Sequence, residues 1–361
     1  MKKLSILILC AACTIFAAER HARNVILFLG DAGGTSTLNA ASLYGHDAPE
    51  SLFLQHLPYI GLSETSAANA WVTDSAAGMT AIVTGHKTNN GVISQSSDSM
   101  RGKKDGQPLK TILEYAEERG LSTGVISNMP MWDATPAACY AHCNERAKAA
   151  EIFSQILDPR FGDGVDVVIG GGRKTVFGPE QDGKGGLTEE PFRKAGYSLY
   201  DDPEAIPVTS NRVMALFDKP FQAAPVVRKA IEILSRNRKG YFLMVEWDMH
   251  TTNIKKGLDN VIEMDGIIQQ TAKQVKDDTL ILFTADHSFD LRVRGGKKGD
   301  NLIPDPSAGP DTKPKIRVEN GHTGEEVLVA AQGPGAERVH GYLVNTDLFH
   351  IMMAAYGWPE K

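Results

Sequence analysis

Short apolar runs that end at polar residues or glycine recur along the chain, at 24–30 (NVILFLG), 121–127 (LSTGVIS), 165–170 (VDVVIG), 241–245 (YFLMV), 279–284 (TLILFT) and 327–331 (VLVAA). None alternates apolar with polar positions, so each predicts a strand covered on both faces, as in a parallel sheet. Amphipathic stretches lie between them. Leu109, Ile112, Leu113 and Ala116 recur at helical spacing, and Gly120 provides a stop. Segments 223–238 and 258–275 carry similar patterns, and Thr346 is placed to cap a last helix over 347–356, before Gly357. Strands alternating with helices predict an α/β fold: a three-layer sandwich with a central, mostly parallel sheet and helices on both faces. Two stretches, 182–186 and 295–320, are rich in glycine and polar residues and read as surface excursions. Neither an internal repeat nor a long linker interrupts the pattern, so one catalytic-size domain is expected over 19–361.

The first residues follow another pattern. Lys2 and Lys3 precede an almost wholly apolar run, 4–16, then Ala17-Ala18 and the charged Glu19-Arg20. This predicts a secretory signal peptide over 1–18 and a periplasmic or secreted protein. The run is shorter than the roughly 20 residues that span a bilayer, so no stable membrane insertion is expected. Cys13 after Ala11-Ala12 offers a lipoprotein site as the alternative. Beyond the leader, Cys139 and Cys143 stand four apart in what reads as a helix. That spacing rarely suits a disulfide, and buried small side chains are the expectation. The net charge of −6 argues against a dedicated nucleic-acid surface.

Ligands of open α/β sheets bind beyond the carboxyl ends of the strands. Asp31 follows the first run, and Glu246, Asp248 and His250 follow YFLMV. Asp286 and His287 follow TLILFT, and His322 lies before VLVAA in GHTGEE. Carboxylates and imidazoles suit Zn²⁺, and further carboxylates suit Mg²⁺. Singly, each is as well read as a helix cap or a structural pair. Ser75 sits in WVTDSAAGMTAIVTGHKTNNG, small residues leading into a helical stretch. A serine at a helix N-terminus faces backbone N–H groups and partial positive charge, although Asp74-Ser75 also suits a plain cap. Asp133 and Thr135 precede Pro136, which suits a first helical turn, and Arg146 follows about three turns on. Arginine is the natural bidentate clamp for phosphate.

Taken in order, VTDSAAGMTA with TGHKTNNG, DATPAA followed by Arg146, FLMVE, TADH, and GHTGEE with NTDLF resemble the alkaline phosphatase family over roughly 24–357. The resemblance implies a phosphate monoester hydrolase working through a phosphoserine at a site of two zinc ions and one magnesium. It assigns Ser75 as nucleophile and Arg146 as phosphate ligand. Asp31 is then shared between one zinc and magnesium, with Asp286 and His287 completing that zinc. His322 and His250 fall to the other zinc, Thr135 and Glu246 to magnesium, and Asp133 to positioning magnesium-bound water. The expected partners are small phosphate monoesters, with a homodimer as the family's usual form; its crown segment is reduced here to roughly 295–320.

The family pattern is compressed at Glu246-Trp247-Asp248-Met249-His250. Two registers follow. In one, Glu246 closes the strand as magnesium ligand while Asp248 and His250 bind zinc, with Trp247 walling the site. In the other, Glu246 and His250 are the four-apart zinc pair. The family's Gly-Asp-Gly is Gly30-Asp31-Ala32 here, a change expected to cost little. Competing readings are a metal-dependent phosphodiesterase or sulfatase of the same superfamily, or a non-catalytic phosphate- or metal-binding relative. A sulfatase needs x-Pro-x-Arg after its nucleophile, whereas Ala76-Ala77-Gly78 follow Ser75.

Overall fold

The computed structural model describes residues 20–303 and 314–359. The leader and residues 304–313 of the 295–320 excursion therefore lie outside the described residues. The six apolar runs form strands β1 (Asn24–Asp31), β3 (Ser122–Pro130), β4 (Val167–Gly171), β7 (Tyr241–Asp248), β8 (Thr279–Ala285) and β11 (Val327–Gln332). Strands β2 (Tyr59–Ser63), β5 (Ser198–Tyr200), β6 (Val213–Phe217) and β12 (Gly341–Leu343) complete a ten-stranded sheet. Its order is β12-β2-β11-β8-β1-β7-β3-β4-β6-β5. A separate hairpin pairs β9 (Ser288–Val293) with β10 (Ile316–Thr323).

Pairing is parallel throughout the centre, but β11 runs antiparallel to both β8 and β2. The expectation of a parallel strand at 327–331 is corrected here. An unbroken apolar run reports cover on both faces, and that cover is the same for either direction.

Successive strand residues point to opposite faces. On one face Leu27, Leu29, Val125, Phe242, Met244 and Leu282 pack with Met79 and Ile82 of the helix Ser75–Thr84, Ile112 and Leu113 of the helix Ile112–Glu118, and Leu348 and Met352 of the helix Asp347–Ala355. On the other, Ile26, Phe28, Ile126, Leu243, Val245 and Phe283 pack with Leu38 of Thr35–His46, Val227 of Ala223–Leu234 and Val261 of Ile254–Gln274. This is the three-layer α/β arrangement the sequence predicts.

The same alternation positions the polar strand ends. Asp31 continues the series of Leu27 and Leu29, Glu246 and Asp248 that of Phe242 and Met244, and Ser127 that of Val125. Register sets Asp31 opposite Asp248, and Leu29 and Ser127 opposite Glu246. All of these side chains therefore leave the sheet on the face that carries the Ser75 helix. The strand does not close at Glu246; pairing with β1 carries it on through Asp248. Trp247 consequently points to the opposite face, where it packs on Phe221 with ring centroids 5.5 Å apart and its Nε1–H donates to Glu263 Oε2 at 3.0 Å. It is a core side chain and not a wall of the site.

Two further expectations are corrected. The helix at Pro136 spans only Ala134–Ala137, because Ser94 Oγ and Thr111 Oγ1 donate to the Ala138 and Cys139 carbonyls and divert the chain. Cys143 instead bridges Ile93 as extended backbone, so Cys139 and Cys143 share no helix. Both are free and buried, as small apolar side chains. Arg146 thus reaches the site from a loop, with its N–H on the Gly91 carbonyl. At the last helix, Thr346 has helical backbone and makes no side-chain cap; Asp347 Oδ2 accepts from Val344 N–H at 2.8 Å in its place.

Candidate active site

The helix Ser75–Thr84 begins because Asp74 is extended (φ −102°, ψ 171°) and its Oδ1 accepts from Ala77 N–H at 3.1 Å. Small residues let the helix press against the strand ends, and Gly85 at φ 73° stops it. Ser75 is buried at its first turn, where unpaired N–H groups and the positive end of the helix dipole favour an anion. Its Oγ lies 3.4 and 3.5 Å from the two oxygens of Asp31 and 3.4 Å from His287 Nε2.

Asp31, Asp286 and His287 form a buried trio. His287 Nε2 is 3.3 Å from Asp31 Oδ1 and 3.6 Å from Asp286 Oδ2. Asp286 Oδ1 accepts from the N–H groups of Ala32 and His287. His322, from β10, stacks on His287 at 3.8 Å between centroids, and its Nε2 lies 3.4 Å from His250 Nε2. Donor atoms of Asp31, Asp286 and His287 lie within 4.8 Å of one another, as do those of His250, His287 and His322. The first trio offers two carboxylates and an imidazole, the second three imidazoles with His287 common to both, and both kinds of donor suit a zinc-like cation.

A third polar pocket adjoins these. Glu246 is fully buried, with Oε2 taking a hydrogen bond from Ser127 Oγ. Glu246 Oε1, Thr135 Oγ1 and Asp286 Oδ2 are buried without a hydrogen-bond partner. Polar atoms so placed carry a desolvation penalty that a cation would relieve. On that observation the residues fit divalent ions.

Electrostatics follow from the crowding. Burial alone would raise the Asp31 carboxyl, but the hydrogen bond and charge of His287, aided by His250 and Arg146, bring it down to about 2. Asp286 is pushed up to about 6 by burial and by the charge of Asp31. Glu246 is driven well above the carboxylate range by the same two causes. Burial works against charge on His287, but Asp286 and Asp31 outweigh it and raise the imidazole to about 9. Burial and the neighbouring His287 charge lower His322.

Arg146 crosses the front of the site. Nη1 donates to Asp74 Oδ2 at 3.1 Å and Nη2 to Asp133 Oδ1 at 2.8 Å. Burial opposes its charge, but these two carboxylates outweigh that and hold the guanidinium protonated. Asp133 also caps the short helix by accepting from Ala134 N–H at 2.7 Å, and its charge acts on Glu246. Asp248 Oδ1 lies 2.9 Å from His250 Nδ1, and Oδ2 3.4 Å from Lys256 Nζ.

Asp31, Ser75, Asp133, Arg146, Glu246, Asp248, His250, Asp286, His287 and His322 thus gather at one end of the sheet. Asp74, Ser127, Asn128, Lys256 and Asn260 also serve it and were not nominated. Ser127 was findable, since it ends an apolar run on the same parity as Glu246; the others act through contacts that no local pattern encodes.

The α/β sandwich thus sets a serine at a helix N-terminus against two groups of converging carboxylate and imidazole donors. The chain belongs to the alkaline phosphatase family, whose model matches residues 22–218 and 218–318. It is 28% identical over 430 residues to alkaline phosphatase of Escherichia coli, covering 94% of this chain and 87% of that protein. It is 28% identical to alkaline phosphatase 4 of Bacillus subtilis, covering 91% and 88%. Among solved structures, a variant of the alkaline phosphatase of the Antarctic bacterium TAB5, with magnesium bound in its M3 site, superimposes with a TM-score of 0.78 at 25% identity, covering 94% of this chain and 99% of that one. The Thermus thermophilus enzyme shares the fold, with a TM-score of 0.79 at 21% identity and 95% and 93% coverage. These relationships support a phosphatase activity and metal cofactors. No helix among the described residues is long and apolar enough to cross a membrane.

Proposed function

We propose that this chain is an exported phosphate monoesterase in which Ser75 is transiently phosphorylated. The observation that carries the reading is the position of Ser75 Oγ, at a buried helix N-terminus, 3.4 Å from both Asp31 and His287 and on the same side as the Arg146 fork. Asp31, Asp286 and His287 would hold one zinc, His250 and His322 would contribute to a second, and Asp31, Thr135 and Glu246 would hold magnesium. When bound, such ions supply Lewis-acid stabilisation of the attacking and leaving oxygens.

The chain's own groups do the rest. Arg146 keeps two donors on Asp74 and Asp133, which aims its remaining N–H groups at phosphoryl oxygens. The first turn of the Ser75 helix adds backbone N–H groups and dipole. In the first step the Ser75 Oγ–P bond forms as the ester P–O bond breaks, and the proton lost from the Ser75 hydroxyl leaves on the alcohol. In the second, water adds to phosphorus, the Ser75 Oγ–P bond breaks, one proton of the water returns to Ser75 Oγ, and phosphate departs with the remaining OH.

The test uses purified mature protein with zinc and magnesium, offered a chromogenic phosphate monoester, a diester and a sulfate ester. Preferential release from the monoester is expected. Ser75→Ala should abolish it and the acid-stable phosphorylated protein, while keeping the fold and metal content. A wild type that binds two zinc ions yet releases no phosphate would overturn the enzyme reading in favour of a binding protein. Preference for the diester would shift it to a phosphodiesterase.

A further inference from the structure

The segment Glu246–His250 is where this chain departs from its family pattern, and the structure shows what the shortened spacing does. Because β7 pairs with β1 through Asp248, the Asp248 backbone is held within the sheet. Its N–H donates to Asn128 Oδ1 at 2.8 Å, and its carbonyl accepts from Asn260 Nδ2 at 2.6 Å. The next residue, Met249, donates its N–H to the Asp31 carbonyl at 2.8 Å. The carboxylate is occupied as well. Oδ1 accepts from the backbone N–H of His250 at 3.1 Å, a local Asx turn, and lies 2.9 Å from His250 Nδ1. Oδ2 accepts from Lys256 Nζ at 3.4 Å.

Asp248 Oδ1 at 2.9 Å, with Asp31 Oδ1 further off at 3.7 Å, faces His250 Nδ1, which places the imidazole hydrogen on Nδ1 and leaves Nε2 as the lone-pair donor. Nε2 points into the site, 3.4 Å from His322 Nε2. Asp248 belongs to neither trio of converging donor atoms among the described residues, whereas His250 and His322 do. A carboxylate behind a histidine, fixing its tautomer and aim, is a recurring support for metal-ligating imidazole.

We propose that Asp248 is a positioning residue for His250 and not itself a metal ligand, so that the second cation of this site is held from the histidine side by His250 and His322 without the aspartate. Lys256, Asn128 and Asn260 hold Asp248 in that role. The inference rests on the metal-site reading above.

The experiment measures zinc equivalents and affinity on the full mature protein by chelator competition, together with the visible spectrum of the cobalt-loaded form. His250→Ala and His322→Ala should each lose one zinc equivalent. Asp248→Asn keeps an oxygen that accepts from Nδ1, so it should keep the full stoichiometry and an unchanged cobalt spectrum. Asp248→Ala should keep the stoichiometry at saturating zinc but bind about 10- to 100-fold more weakly. Loss of a whole equivalent in Asp248→Asn, or a cobalt spectrum altered as in His250→Ala, would make Asp248 a ligand and overturn the proposal. A wild type that takes up no zinc would instead remove the metal-site reading on which it stands. Asp248→Asn is isosteric, and circular dichroism of each variant separates lost metal from lost fold.

Discussion

Ala32 stands directly after Asp31 with φ at 66°, in the left-handed region that favours glycine. Its side chain is fully buried and its N–H is held by Asp286. The exchange for glycine in this motif therefore has a cost, contrary to the expectation from sequence. A left-handed residue with a Cβ is strained by roughly 1–2 kcal/mol, partly offset by the lower chain entropy of alanine when unfolded. Ala32→Gly should stabilise the protein by about 1 kcal/mol, read as a higher denaturant midpoint at unchanged slope. A second prediction concerns Glu117, far from the site. Burial, then the charges of Asp166 and Asp163, push its carboxyl up from 4.5 to about 8 against the hydrogen bond from Thr123. Between those values the folded chain holds a proton that the unfolded chain lacks, so stability falls as pH rises from about 5 to 8. Glu117→Gln should remove that slope and gain on wild type over this window; parallel melting curves at each pH would count against it. At this scale Asp31, Glu246, Asp248, Asp286 and His287 were legible because each follows an apolar run at a strand end. Asn128, Lys256 and Asn260 were not, because register and helix packing bring them to Asp248.

The Ser75 helix is placed by what it lacks. A Cβ on Gly78 would lie 2.7 Å from the Asp286 carbonyl oxygen and 3.2 Å from Asp286 Cβ. Glycine at this turn lets Ser75 and Asp286 approach. Gly78→Ala must move the helix or the ligand, a strain of about 1–3 kcal/mol. The larger effect should fall on turnover, lowered about 10- to 100-fold by the displaced serine; kcat and zinc affinity measured together would show it, and unchanged values for both would refute it. The six buried strands were readable as apolar runs, and Val213–Phe217 could have been, being fully buried too. The short or exposed strands β2, β5, β9, β10 and β12 carry no such run. The Cys139–Cys143 helix failed because side chains from Ser94 and Thr111 took the carbonyls a helix needs.

Across the whole molecule, one polar end of the sheet concentrates Asp31, Glu246 and Asp286, all buried. Their mutual repulsion and desolvation oppose folding unless cations are bound. Chelation should therefore lower the melting temperature by several degrees, and zinc with magnesium should restore it. A thousand-fold excess over Kd corresponds to about 4 kcal/mol. A melting temperature indifferent to chelator would speak against the metal centre. The donors also span nearly the entire chain, from Asp31 on the first strand to His322 on the hairpin before β11. A growing polypeptide completes the Asp31–Asp286–His287 group only at position 287 and the His250–His287–His322 group only at position 322 of 361, so the two sets of donors are finished late and in sequence. A chain ending between positions 288 and 321 should therefore keep Ser75 and the first group of donors but never acquire the second, read as a metal content below that of the full chain.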